Sequence, residues 1–396
     1  MFGAKYIKFS RDLWVLLSSI LIIHIAAYLI VPIFPILLKT EKNLSPTNIG
    51  IVIGAGSLFI QLGSILAGLL GNRVGNHWTL IIGNLCQAIA LLGFGITSSF
   101  YILAFFSAMN GIGTGIYIPT IKAAISYVAT EGQKTTAFSL RGVAAHGGTA
   151  LAGILIFFTA TNRNFYIAST IYILLMLGSW IFMPRDCGNQ PCPTLTLRSY
   201  IGIFKDRHFL FFSLVSALIW SLHTQLGLLL PLRADTILKD NSPLGTIWTI
   251  SSLSVILVQP YISKNLLEKK SLSTSITIGV ILLGVGITII GFSYSFYLLL
   301  ISSLVFVLGE MFVMPVLDSI TSKIADPSLI GVYFSVANFA SGIGAALGNF
   351  TSGKLIDVYG IRQSLIPWFI LGGFTILLAF IVQLPVIKMF TNSKPK

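Results

Sequence analysis

The chain has 396 residues, of which 55% are hydrophobic and only 9% charged, and its mean hydropathy is +0.89. A soluble domain is about 25% charged, so a length ample for two or three soluble domains cannot be read that way. Apolar runs of about 20 residues recur throughout, enough for helices to cross the ~30 Å hydrocarbon core; this is an integral membrane protein, and its net charge of +13 reads as topology and contact with anionic lipid, not nucleic-acid binding.

The runs predict an all-α protein of twelve transmembrane spans. Span 1 covers residues 13–38, too long for the apolar core of a signal peptide and without a small-residue cleavage site. Spans 2 and 3, at 48–71 and 78–97, flank the polar corner "GLLGNRVGNHW" (68–78). Its three glycines and single arginine fit either a phosphate-cradling loop or a turn between buried helices. Spans 4 to 6 come next at 99–121, 137–159 and 165–183. A hydrophilic loop, 184–207, carries Cys187 and Cys192, which the cytoplasm would keep reduced; with Cys86 inside span 3, nothing here makes a zinc site, and no metal or other cofactor is expected. Spans 7 to 12 lie near 208–231, 244–264, 272–292, 296–320, 331–352 and 365–388. With the N-terminus inside, 18 of the 25 Lys and Arg residues fall on the inner segments, which predicts that both termini are cytoplasmic.

The chain also repeats itself. The stretch from Gly113, "GTGIYIPTIKAAISYVATEGQKTTAFSLRGVAAHGGTALAG", aligns without a gap on the stretch from Gly309, at an offset of 196 residues. Pro119 matches Pro315, Phe138 matches Phe334 and Gly148 matches Gly344, while Pro35 and Pro231 keep the same offset. The chain therefore divides into two six-helix halves, 1–183 and 208–396, joined by the loop; parallel halves related about the membrane normal are one architecture of secondary transporters. The spacings Gly111–Gly115 and Gly344–Gly348 suit close helix packing.

At this point the sequence resembles the major facilitator superfamily, in its twelve-helix bacterial drug–proton antiporter branch, over essentially its whole length. "GLLGNRVGNHW" occupies the place of that family's G-x-x-x-D-R-x-G-R-[RK] signature, with Gly68, Arg73 and Gly75 matching, Asn72 replacing the acid, and Asn76 and His77 replacing the basic pair. The corner is then a helix–turn–helix gating element, not a phosphate loop, and no G-x-x-x-x-G-K-[ST] motif occurs elsewhere. Span 4 has Ser107 where the family usually has arginine, and "LRGVAAHGGTALAG" in span 5 lacks the antiporter G-P pair. "LGEMFVMPVLDSITSKIADPSLIGVY" is similar to the same region of Gram-positive multidrug–proton antiporters, and Glu310 falls on the acid such transporters use. The resemblance implies a monomer in the bacterial plasma membrane.

Ionisable groups within a membrane are expensive and are functional candidates by default. Glu310, at mid-depth in span 10, is the leading proton carrier, with Asp318 two turns further on as a second proton-coupling candidate. Lys122 holds the repeat position of Asp318, and the two suit an ion pair closing the cytoplasmic side; the plainer alternative is that both reach solvent. His24, Arg141, His146 and His223, with the neutral Gln61, Asn110, Gln225 and Asn338, are candidates to face a substrate cavity, though a lone histidine or amide more often serves packing.

The function expected is export of small molecules, drugs or amphipathic compounds, by proton antiport with alternating access. The alternative is export of an anionic metabolite such as a carboxylate siderophore, because two buried acids face Lys122, Arg141 and three histidines, and Gly227 stands where some multidrug relatives carry an acid. A membrane-embedded enzyme would need a nucleophile–base set or metal ligands, and neither H-E-x-x-H nor G-x-S-x-G occurs, so no enzyme is expected; a channel would not require the repeat.

Overall fold

The computed structural model describes residues 10–128, 134–159, 162–183, 206–240, 243–267, 271–324 and 330–384, and regular structure among them is helical throughout. The loop carrying Cys187 and Cys192 lies outside the described residues. Ten helical segments are long and apolar enough to cross a membrane. The remaining two in the twelve-span order are Ile330–Tyr359, which is 30 residues long but more polar, and Ile366–Val382, which has 17 residues. Span 11 tolerates its polar residues because it is wedged between spans 2 and 7 instead of facing lipid all round: a Cβ on Gly342 would strike Gln61, and one on Gly348 would strike the Ser221 backbone.

Local chemistry sets the ends of the helices. Ser10 caps span 1 by accepting from Leu13 N (3.2 Å), and Asp206 caps span 7 by accepting from His208 N and Phe209 N (3.1 and 3.0 Å), so the two halves begin alike at the repeat offset. Spans 1 and 7 are also both interrupted. Arg11–Tyr28 gives way to turns at 29–33 before Phe34–Thr40 resumes, and Arg207–His223 breaks at Thr224 before Gln225–Ala234. The unbroken span expected over 13–38 is therefore corrected. Pro32 and Pro35 remove backbone donors there, and Asn164 Nδ2 from span 6 donates to the Leu29 carbonyl at 3.0 Å. Gly75 breaks Pro46–Ile96 into spans 2 and 3 with φ 80° and ψ 163°, a conformation costly for any residue with a Cβ. "GLLGNRVGNHW" is thus a corner between helices.

Packing repeats with the sequence. Span 1 packs on 5 and span 7 on 11; span 3 packs on 4 and 6, and span 9 on 10 and 12. Gly111 and Gly115 lie against the span 2 backbone, Gly344 and Gly348 against that of span 7. Span 2 packs on 11 and span 5 on 8, two seams related by the sequence repeat. At the second seam Gly153 and Gly245 sit backbone to backbone, and a Cβ on either would strike the other's carbonyl. Large apolar side chains such as Leu257, Phe158 and Phe380 remain 71–76% exposed, which forms the surface that lipid covers.

One end of the bundle is tied across the halves. Lys39 Nζ donates to Asp235 Oδ2 at 2.7 Å, Thr47 Oγ1 donates to Asp357 Oδ2 at 2.6 Å, and Thr249 Oγ1 donates to the Ala150 carbonyl at 2.9 Å. Toward the opposite end, Lys122 and Asp318 are both exposed and do not form an ion pair within 4 Å.

Candidate functional site

A cavity of about 550 Å³ lies between the halves, lined by spans 1, 2, 5, 7, 8, 10 and 11. Drug-sized ligand pockets fall in this volume range. The two broken helices each bring one histidine into it. Span 1 contributes His24 just before its break, and span 7 contributes His223 at the end of its first segment. Arg141 and His146 come from span 5, and Glu310 from span 10.

Glu310 is held by a partner that sequence reasoning did not assign to it. His223 Nε2 lies 3.1 Å from Glu310 Oε1, and the two side chains are 21% and 37% exposed. An imidazole and a carboxylate at this distance are within hydrogen-bond reach of each other. Trp220 packs edge-on against His223 (ring centroids 4.6 Å apart), and Phe306 lies on its other side at 6.2 Å. His24 donates through Nδ1 to the Ile20 carbonyl at 2.8 Å and stacks on Tyr28, whose ring meets Trp248 of the other half at 5.9 Å.

Of the residues singled out for the cavity, His24, Arg141, His146 and His223 line it together with Glu310. The other four do not. Gln61 is turned into the span 2–span 11 seam, and Asn110 lies on span 4 outside the lining. Gln225 is fully buried and donates to the Ser221 carbonyl at 2.5 Å, and Asn338 is exposed on span 11 away from the lining. Helical periodicity could not separate these faces, because spans 2 and 11 bury one side against each other and the break at Thr224 rotates the segment beyond it. Of the gating set, Gly68, Arg73 and Gly75 sit at the corner between spans 2 and 3, with Arg73 exposed; the side chain of Asn72 lies outside the described residues. Lys122 and Asp318 feel each other's charge without pairing.

Sequence reasoning also missed the aromatic wall of Tyr28, Trp220, Trp248 and Phe306, and Asn349, all lining the cavity. It missed Lys39–Asp235 as well, although these residues are separated by 196 positions, the repeat offset. That spacing was the available signal.

The family model described as Major Facilitator Superfamily matches residues 16–349. The chain is 21% identical over 377 residues to the uncharacterized MFS-type transporter YqjV of Bacillus subtilis, covering 92% of this chain and 91% of that one. It is 23% identical over 366 residues to the multidrug resistance protein MdtH of Citrobacter koseri, covering 90% of each. Among solved structures, the nucleoside transporter NupG superposes with a TM-score of 0.81 at 16% identity, covering 97% of this chain and 100% of that one. A POT family transporter in complex with a thioalcohol-conjugated peptide gives a TM-score of 0.80 at 17% identity, covering 97% of each chain. The chain belongs to the major facilitator superfamily and is a multi-pass membrane transporter with that family's all-α fold.

Proposed function

We propose that this member of the major facilitator superfamily exports small molecules across a bacterial plasma membrane by proton antiport. The observation that carries this reading is the Glu310–His223 contact on the wall of a cavity between two repeat-related halves. A proton arriving from outside neutralises Glu310 and releases His223; its loss to the cytoplasm restores the charged pair. Because the pair bridges spans 7 and 10 at the cavity, its protonation changes both the shape of the wall and the charge that a cargo meets.

Residues 1–183 and 208–396 act as two bodies that rock about the cavity, and 184–207 is the cytoplasmic loop between them. With both termini in the cytoplasm, Lys39 and Asp235 lie at the outer end and Lys122 and Asp318 at the inner end. The tied outer end then corresponds to the cytoplasm-facing state. The protein works as a monomer within lipid, its partners being protons and a small-molecule cargo; the likeness to a multidrug resistance protein supports an amphipathic cargo.

The test is transport by purified protein in liposomes, loaded with amphipathic dyes, with and without an imposed pH gradient. The proposal expects dye movement against its own gradient only while the proton gradient lasts, and acidification of the compartment that protons enter. Transport indifferent to a collapsed pH gradient would refute proton antiport while leaving the transporter fold untouched.

A further inference from the structure

Four of the six lining hydroxyls are satisfied inside the protein. Ser57 donates to the Ile53 carbonyl (3.1 Å), Thr149 to Ala145 (3.1 Å) and Thr224 to Ser221 (3.3 Å), while Ser251 shares a bond with Ser303 (2.9 Å). Among the described lining residues, four have buried polar atoms without a hydrogen-bond partner: Arg141 Nε, Trp248 Nε1, His223 Nδ1 and both amide atoms of Asn349. Arginine and indole nitrogens only donate, an amide both donates through its nitrogen and accepts through its oxygen, and an imidazole nitrogen can do either. Asn349 is 1% exposed, so neither water nor a molecule in the cavity reaches its amide, and the group open to a cargo is the Arg141 side chain.

The charges point the same way. Glu310 is engaged by His223, whereas Arg141 has no carboxylate within 4 Å among the described residues. An unpaired guanidinium is expensive at membrane depth. It is retained at low cost if the transported molecule supplies the missing anion. A cavity built for organic cations would instead leave its acid free.

From this we propose that the cargo is an organic anion with an aromatic body: its carboxylate is taken by Arg141, and its body lies against Tyr28, Trp220, Trp248 and Phe306. The guanidinium fork matches a carboxylate with two parallel hydrogen bonds. This rests on the cavity being the cargo site proposed above.

The test uses calorimetric binding to the full chain in lipid nanodiscs, with three probes that share one ring system: 1-naphthaleneacetate, 1-naphthaleneacetamide and 1-naphthylmethylammonium. The carboxylate should bind about tenfold or more tightly than either of the others. Arg141→Gln should erase that margin, Arg141→Lys should keep part of it, and Glu310→Gln should leave it in place. An ammonium that binds as tightly as the carboxylate, a carboxylate that does not bind, or a margin unchanged in Arg141→Gln would each overturn the proposal. Binding needs no gradient, so a preserved margin together with gradient-independent transport would count against proton antiport alone.

Discussion

The two ends of the molecule carry the same pair of residues in different states. At one end Lys39 of the first half meets Asp235 of the second at 2.7 Å; at the other, Lys122 and Asp318, also one repeat apart and with the lysine again in the first half, remain exposed and unpaired. Each pair joins two positions one repeat apart, and in this conformation only one of the two pairs is engaged. A rigid membrane scaffold would gain by closing both. A transporter must not, because simultaneous closure traps the cargo and simultaneous opening collapses the gradient. The difference between the ends fits alternation, and under the proposed function Glu310–His223 between them is the group that selects which end closes.

The largest effect should come from disconnecting that selector. Glu310→Gln keeps the shape and an acceptor for His223 but removes the titrating charge. It should leave expression and thermal stability nearly intact and reduce gradient-driven transport in proteoliposomes to the level of protein-free vesicles, sparing passive exchange. Full proton-driven transport by this variant would move the coupling to Asp318 or the histidines.

Next comes the unengaged pair. Lys122→Ala and Asp318→Ala should each slow transport several-fold, and the charge swap should recover part of the loss, since the coupling belongs to the double mutant. Purely additive losses in a transport-rate cycle would mean that the residues never meet.

Sharpening the comparison is the role of Asn72→Asp. The family resemblance implies that an acid here steadies the outward-facing state through charge-assisted hydrogen bonds, and asparagine lacks the charge. Restoring it should shift the population toward outward-facing by roughly 1 kcal/mol, about fivefold, read as spin-label distances between the cytoplasmic ends of the halves. Unchanged distributions would refute it.

The smallest effect belongs to the engaged pair. Lys39 is 37% exposed and Asp235 15%, so water screens their attraction and it contributes ~0.2–1 kcal/mol. Lys39→Ala should raise the outward-open fraction by no more than about fivefold, with salt above roughly 0.5 M mimicking it in the native protein.

Most of the fold was legible because hydropathy and repetition act on whole helices. The glycine spacings and Gly75 at the corner reappear as close seams and a positive φ, while the matched Pro119, Pro315 and Pro231 sit inside continuous helices. The illegible part depends on a helix's rotation and on where it breaks. His223 and Gln225 are two residues apart across the interruption at Thr224, yet one faces the cavity and the other is sealed in packing. No period fixes such a break. The partner of Glu310 was equally hidden: His223 lies 87 positions away in sequence, and the offset that pairs the gates relates Glu310 to Thr114 instead.

The most direct test tracks both ends at once. Spin-label pairs would be placed on the outer ends of spans 2 and 11 and, in a separate sample, on the inner ends of spans 4 and 10, in nanodiscs between about pH 5 and pH 8, where an ordinary imidazole changes charge. The account requires the two distances to move in opposite directions with pH, the outer lengthening as the inner shortens, and requires Glu310→Gln to abolish the pH response at both. Distances that change together, or a pH response that survives in Glu310→Gln, would contradict it.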